Sequence, residues 1–188
     1  MRVGVTARFE TSQNGDNWFV FEEALLDTIG EALEETSIML ISPQSVQTIE
    51  SLDLLVFSGG ATPGTDFKRD HFERLLYLRG VRALLPMLGI CRGAQLFASI
   101  DGSRLERVEN HIDRVRSTAS NNVYGRCFHH WGLNSLSEDW KILSRDAVDN
   151  TIELFKHNQL PILGVMAHPE RHSDSANLFR DLLGLLTK

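Results

Sequence analysis

A glycine two residues before a cysteine and another two after it, in Gly89-Ile90-Cys91-Arg92-Gly93, form the most chemically suggestive pattern in the chain. The pattern follows the apolar run from Leu84 to Leu88 and continues into Ala94-Gln95-Leu96-Phe97, so a buried strand should turn sharply into a helix at the cysteine. Flanking glycines permit the tight strand-to-helix turn of a nucleophile elbow, from which Cys91 projects. A helix N-terminus offers free N–H groups and the positive end of a dipole, which favour a thiolate over a thiol. A second pattern supplies the base that a cysteine nucleophile needs. Gly164-Val165-Met166-Ala167-His168-Pro169-Glu170 ends another apolar strand with a histidine and a carboxylate two residues apart. His168 reads as the base, and Glu170 as the group that fixes its tautomer and supports its charge.

Bringing Cys91 to His168 requires neighbouring strands whose carboxyl ends carry them. Short apolar runs recur at Val3 to Thr6, Ile38 to Ile41, Leu52 to Phe57 and Leu84 to Ile90, with helical periodicity between them. That rhythm predicts βαβ units and a parallel sheet with right-handed crossovers. One helix is expected from Trp18 to Leu33, with Asp16 or Asn17 as its cap, because Phe19, Ala24, Leu25, Ile29, Ala32 and Leu33 fall near one stripe. Another is expected from Asp66 to Arg79. Segments 104–118, 123–130, 140–145, 151–156 and 162–166 read as shorter strands joined by turns such as Asn121-Asn122 and Asp149-Asn150. Ser173 or Asp174 starts a last helix. No repeat, low-complexity tract or Pro-rich linker divides the sequence, so residues 1–188 are expected to form one α/β domain whose second half returns to the same sheet.

Composition bounds the partners. The 188 residues are 42% hydrophobic and 23% charged, ordinary for a globular domain that buries about 70% of its unfolded surface. A formal charge of −6 leaves no global basic field for nucleic acid or an anionic membrane. No apolar run approaches the roughly 18 residues of a membrane span, and polar Thr6 and Arg8 interrupt the start before a signal-peptide core forms, so a cytoplasmic protein is expected. In a reducing compartment Cys91 and Cys127 are two thiols rather than a bridge, and Cys127 merely interrupts a strand pattern. No set of His, Cys, Asp and Glu shows ligand spacing, so no metal site is expected.

Two further motifs stand beside the cysteine and histidine patterns: Phe57-Ser58-Gly59-Gly60 after a strand, and Phe128-His129-His130-Trp131-Gly132 between them. Together the four segments resemble the class I glutamine amidotransferase family and its relatives, the γ-glutamyl hydrolases. The resemblance covers most of the chain. It implies an open, mostly parallel sheet flanked by helices, of the flavodoxin-like type, and a Cys-His-Glu triad carried by Cys91, His168 and Glu170. It also implies attack on a γ-glutamyl amide carbonyl without a cofactor. The developing oxyanion would then meet the backbone N–H groups of Gly60, or its neighbour Gly59, and of Arg92. Gly59, Gln95 and His129 would contact the substrate, Gln95 lying one helical turn beyond Cys91. His129 and His130 fall on opposite faces of a strand, so at most one points into the site.

Arg92 within Cys-Arg-Gly, and Arg69-Asp70-x-x-Glu73 before it, resemble the hydrolase branch more than the glutaminase parts of large synthetases. A solvated Arg69–Glu73 helical pair explains the same spacing. The chain departs from that branch at Tyr124-Gly125-Arg126-Cys127 and at Ala167. Only Ala61-Thr62-Pro63-Gly64-Thr65 separates Gly60 from the next helix. That compactness resembles hydrolases of bacterial surface-polysaccharide synthesis that act on γ-glutamyl-CDP-amidate, and Arg92, Arg107, His111, Arg114, Arg116 and Arg126 are available to neutralise phosphates. The expected function is cysteine-dependent hydrolysis of a γ-glutamyl amide or phosphoramidate through a thioester, releasing glutamate. The alternatives are a glutaminase subunit passing ammonia to a separate synthetase and a non-catalytic regulatory member. A small γ-glutamyl substrate is the expected partner, with a homodimer or a synthetase partner left open.

Overall fold

The computed structural model describes residues 1–117 and 122–186, with the side chains of residues 47, 48 and 116 outside that description. Asn121, half of one expected turn, lies outside the described residues. The first half comprises β1 (Arg2–Thr6), β2 (Arg8–Thr11), β3 (Asn17–Val20), α1 (Glu23–Ala32), β4 (Ser37–Ile41), β5 (Leu54–Phe57), α2 (Phe67–Ala83), β6 (Met87–Ile90) and α3 (Arg92–Ile100). The second comprises β7 (Glu106–Arg107), β8 (Ile112–Ser117), β9 (Val123–Phe128), β10 (Trp131–Gly132), β11 (Trp140–Arg145), β12 (Ile152–His157), β13 (Ile162–Val165) and α4 (Ser175–Leu186).

Seven strands form one sheet in the order β11-β12-β13-β6-β5-β1-β4. The run from β13 to β4 is parallel, and β11 and β12 add an antiparallel edge. This is the open, mostly parallel sheet that the alternating apolar runs predict. Strand alternation sends neighbouring residues to opposite faces and so makes two cores. Leu55 and Phe57 pack with Phe72 and Leu76 of α2 and Phe97 of α3, whereas Leu54 and Val56 pack with Leu25 and Ile29 of α1 and Phe179 and Leu182 of α4. Among the described residues no helix is long and apolar enough to cross a membrane.

The helix expected from Trp18 is shorter and starts later. Residues 17–20 instead pair with residues 8–11 as an antiparallel hairpin, Phe9 opposite Phe19 with ring centroids 5.2 Å apart. The Ser12 hydroxyl accepts from Asn14 N–H and Asp16 N–H, and Gly15 takes φ +87°, so local turn chemistry wins over the helical stripe. Glu22, rather than Asp16 or Asn17, then sits at the helix entrance. The second half also returns to the sheet only in part: β11, β12 and β13 join it, while β7 with β10 and β8 with β9 form separate two-stranded ladders.

Gly30 is exposed on α1 and a Cβ there meets nothing within 4 Å. Gly30→Ala is therefore expected to stabilise the fold by about 0.5–1 kcal/mol in urea unfolding, because helical glycine loses more backbone entropy than alanine.

Candidate active site

The register of two parallel strands brings the cysteine and histidine segments together. Ile90 at the end of β6 pairs with Val165 at the end of β13, and Cys91 N–H donates to Val165 O at 2.8 Å. His168 lies three residues past that point. Cys91 adopts φ +49° and ψ −99°, a conformation costing a non-glycine residue about 1–3 kcal/mol. Gln95 N–H donates to Cys91 O at 2.9 Å, so α3 begins at the cysteine itself. A Cβ on Gly89 would lie 2.6 Å from the Gly93 carbonyl carbon, and Gly93 is pressed against Phe57 of β5. Strand and helix approach this closely only because both positions lack side chains, as the flanking glycines foretold.

His168 Nδ1 lies 2.6 Å from Glu170 Oε1, and Cys91 stands close enough to act on the charge of the ring. Cys91, His168 and Glu170 thus form one contiguous row. Burial opposes the charged ring, but Cys91, followed by the hydrogen bond and charge of Glu170, pushes the His168 pKa up to about 10. Glu22 contributes from the α1 entrance. Burial acts to raise its pKa, yet the Arg171 hydrogen bond and charge, with His168 and Arg8, hold it below the usual carboxylate value. Glu22, His168 and Glu170 place donor atoms within 4.8 Å of one another. Their negative charge is matched by the imidazolium and by Arg171, whose Nε donates to Glu22 at 2.9 Å.

Gly59 and Gly60 follow β5; Gly59 faces the His168 ring, and Gly60 faces the Arg69 guanidinium. A Cβ on Gly59 would stand 2.5 Å from His168 Cε1, and Gly60 takes φ +143°. A buried charge cluster fixes the position of this loop. Glu73 accepts from Thr6 Oγ1 and from Arg69 Nε, each at 2.9 Å, and also from Arg92 Nη1. Arg92 Nη2 reaches Asp70 at 2.5 Å, and Arg69 Nη2 donates to Ser58 O at 2.9 Å. The Arg69–Glu73 pair is therefore no solvated helical face: the two side chains are 3% and 0% exposed. Two arginines and two carboxylates tie α2 to the ends of β1 and β5 and to the first residue of α3. Arg92 keeps its N–H beside Cys91, but its guanidinium is committed to Glu73 and Asp70 and is unavailable to a phosphate.

Gln95 is buried, donates Nε2 to Trp131 O at 2.7 Å, and leaves its Oε1 without a hydrogen bond. His129 is drawn into a different group. Its ring lies 4.7 Å from that of His111, and along β9 it continues the face of Cys127, opposite the face of Phe128, whose ring meets His168 edge-on at 5.8 Å. Arg126, which the sequence offered as a phosphate contact, instead exchanges backbone hydrogen bonds with His168 at 2.8 and 3.2 Å, and Arg171, which the sequence did not single out, places its guanidinium 4.5 Å from the centre of the Phe128 ring. Only the proximity of Arg171 to His-Pro-Glu could have pointed to that contact.

With this geometry in hand, the family model "Glutamine amidotransferase class-I" matches residues 15–183. The chain belongs to that family. It is 38% identical over 112 residues to a γ-glutamyl-CDP-amidate hydrolase of Campylobacter jejuni, covering 59% of this chain and 56% of that protein. It is 31% identical over 178 residues to a carbamoyl phosphate synthase arginine-specific small chain of Halalkalibacterium halodurans, covering 87% of this chain and 48% of that one. The chain thus spans about half the length of these curated relatives. Among solved structures, a glutamine amidotransferase of Thermotoga maritima superposes with a TM-score of 0.65 at 16% identity, over 98% of this chain and 89% of that one. This supports the family's fold.

Two predictions follow from the charges. Arg92→Leu leaves the buried cluster with two carboxylates and one arginine and should cost about 3–5 kcal/mol in urea unfolding, whereas exposed Arg82→Leu should stay within about 0.5 kcal/mol of the parent chain. His168, raised from 6.5 to about 10, taken alone adds stability that is complete below pH 6.5 and lost as the pH climbs through about 10. NMR titration should accordingly find the ring still an imidazolium at about pH 8, and the midpoint should move down in Glu170→Gln. A ring that titrates near 6.5 contradicts the pairing.

Proposed function

We propose that the chain hydrolyses a γ-glutamyl amide or phosphoramidate, with Cys91 as nucleophile, His168 as base and acid, and Glu170 as the residue that orients His168. The observation that carries this reading is the continuous Cys91–His168–Glu170 row at a strained strand-to-helix turn. In the reaction the Cys91 sulfur attacks the γ-carbonyl carbon and the oxyanion forms against the N–H groups of Gly60 and Arg92. The C–N bond then breaks as His168 gives its proton to the leaving nitrogen, leaving a γ-glutamyl thioester. Water, deprotonated by His168, attacks the thioester; glutamate leaves, and Cys91 with His168 returns to the starting charge state. Gln95 Oε1, buried and free to accept, suits the α-ammonium group of the glutamyl portion.

The relative from Campylobacter jejuni supports γ-glutamyl-CDP-amidate as the substrate to test first. Arg114 and Arg107, both exposed, are the arginines best able to meet its phosphates, since Arg92 is buried in ion pairs and Arg126 pairs with Asp113 at 2.7 Å. The synthase small chain among the relatives supports a second reading, a glutaminase that hands ammonia to a separate subunit. Glutamate release from γ-glutamyl-CDP-amidate should exceed release from glutamine by at least about tenfold in kcat/KM under the first reading. Faster turnover of glutamine, increased by an added synthetase subunit, would favour the second. Cys91→Ala should abolish release, His168→Ala should lower it by about three orders of magnitude or more, and Glu170→Gln should cost less because an amide still holds the ring. Turnover retained in Cys91→Ala overturns the mechanism.

A further inference from the structure

A second cluster of reactive side chains lies behind the catalytic row. His111 precedes β8, Cys127 and His129 lie at the end of β9, and Glu153 is on β12; the four are 0%, 1%, 4% and 4% exposed. Each offers a donor atom, and those atoms all fall within 4.8 Å of one another. We propose that His111, Cys127, His129 and Glu153 bind one zinc-class divalent ion as a structural site, separate from Cys91 and His168.

Spacing within the cluster suits coordination. His111 Nδ1 is 3.7 Å from Glu153 Oε1, and the Cys127 thiol donates to Glu153 Oε2 at 3.7 Å, a bond that a metal would replace once the thiol loses its proton. A nitrogen and an oxygen at that separation are too far apart for a hydrogen bond. Tetrahedral zinc with bonds of about 2.0–2.3 Å places its ligand atoms about 3.3–3.8 Å apart, and each Glu153 oxygen stands at that separation from one neighbour, Oε1 from His111 and Oε2 from Cys127. His111 is also held as a metal-bound histidine is held. Its Nε2 meets Asp149 Oδ2 at 2.7 Å, which fixes the tautomer and leaves Nδ1, without a hydrogen bond of its own, facing the cluster. Asp149 is braced in turn by the Thr151 hydroxyl and N–H at 2.8 and 3.1 Å.

Charge leads to the same assignment. On binding, Cys127 loses its proton to solvent and becomes a thiolate. With the Glu153 carboxylate and two neutral imidazoles, it balances a dication to zero net charge, which low-dielectric burial favours. A thiolate with two imidazoles selects zinc-class ions over magnesium or calcium, which prefer all-oxygen shells. The ion would pin the β8–β9 hairpin to β12. Because Arg126 on that hairpin shares two backbone hydrogen bonds with His168, it would also steady the strand beside the catalytic base.

The test uses the whole chain, stripped with a chelator and titrated with Zn2+ alone against a chromogenic competitor, both as wild type and as Cys91→Ala. Wild type and Cys91→Ala should each take up one ion per chain with the same affinity. Cys127→Ser and His129→Gln should weaken binding by more than about a hundredfold, and Asp149→Asn by about ten- to a hundredfold. Should a ligand variant fail to fold, wild type loaded with Co2+ supplies an independent readout: a thiolate-to-cobalt charge-transfer band and tetrahedral d–d bands. Zn2+ should also raise the thermal midpoint of the parent chain but not of the ligand variants. The proposal is overturned by absence of stoichiometric uptake, by uptake that vanishes in Cys91→Ala, or by a cobalt form lacking the thiolate band. These readouts do not depend on glutamate release, so the site and the hydrolase reading can fail separately.

Discussion

The pairing of Ile90 with Val165, extended by the Cys91 N–H to Val165 O hydrogen bond, is the constraint on which the rest of the site depends. Two parallel strands in register end side by side, so whatever follows each strand is delivered to the same spot. One strand turns at once into a helix headed by the Cys91 sulfur; the other runs on three residues to the His168 imidazole, and both side chains are buried. Neither element sets the distance alone. A slip of one residue between β6 and β13 would send the histidine to the wrong face, and the flanking strands on both sides of this pair resist such a slip.

Around that pairing the protein uses two kinds of reinforcement. On the glycine-loop side, Arg69, Asp70, Glu73 and Arg92 act as a buried clamp between α2, β1, β5 and α3. On the histidine side, β9 lies against His168 and exchanges backbone hydrogen bonds with it, while Glu170, Glu22 and Arg171 set the charge around the ring. The first reinforcement fixes the loop at Gly59 and Gly60, and the second fixes His168; under the proposed function these are the oxyanion donors and the proton carrier. Glu73, Arg69 and Arg92 on one side and His168 and Glu170 on the other are buried, which suits the electrostatic stabilisation that the proposed reaction requires.

Much of this was legible in the sequence because the relevant signals are local. Gly89-Ile90-Cys91-Arg92-Gly93 and His168-Pro169-Glu170 each encode a turn and its reactive group within a few residues, and apolar runs such as Leu54 to Phe57 mark strands buried on both faces. The hairpin at residues 8–20 was hidden because Phe19 and Leu25 also fit a helical stripe, and the pattern carries no record of the Ser12 turn that decides the matter. Arg69 and Glu73 are spaced as a solvated pair would be, and only the arrival of Thr6, Ser58 and Arg92 from distant segments shows that they are buried. Positions 111, 127, 129 and 153 share no motif at all, since three separate segments converge on them.

The buried clamp also bears on how the sequence can change. It contains two positive and two negative side chains, and removal of any one leaves a charge without its counter-ion in the protein interior. Single substitutions at 69, 73 or 92 therefore lead downhill in fitness even where a fully apolar replacement of the set would fold well. Passage from this arrangement to an apolar one therefore needs coupled replacements, because each single step leaves an unbalanced charge in the interior.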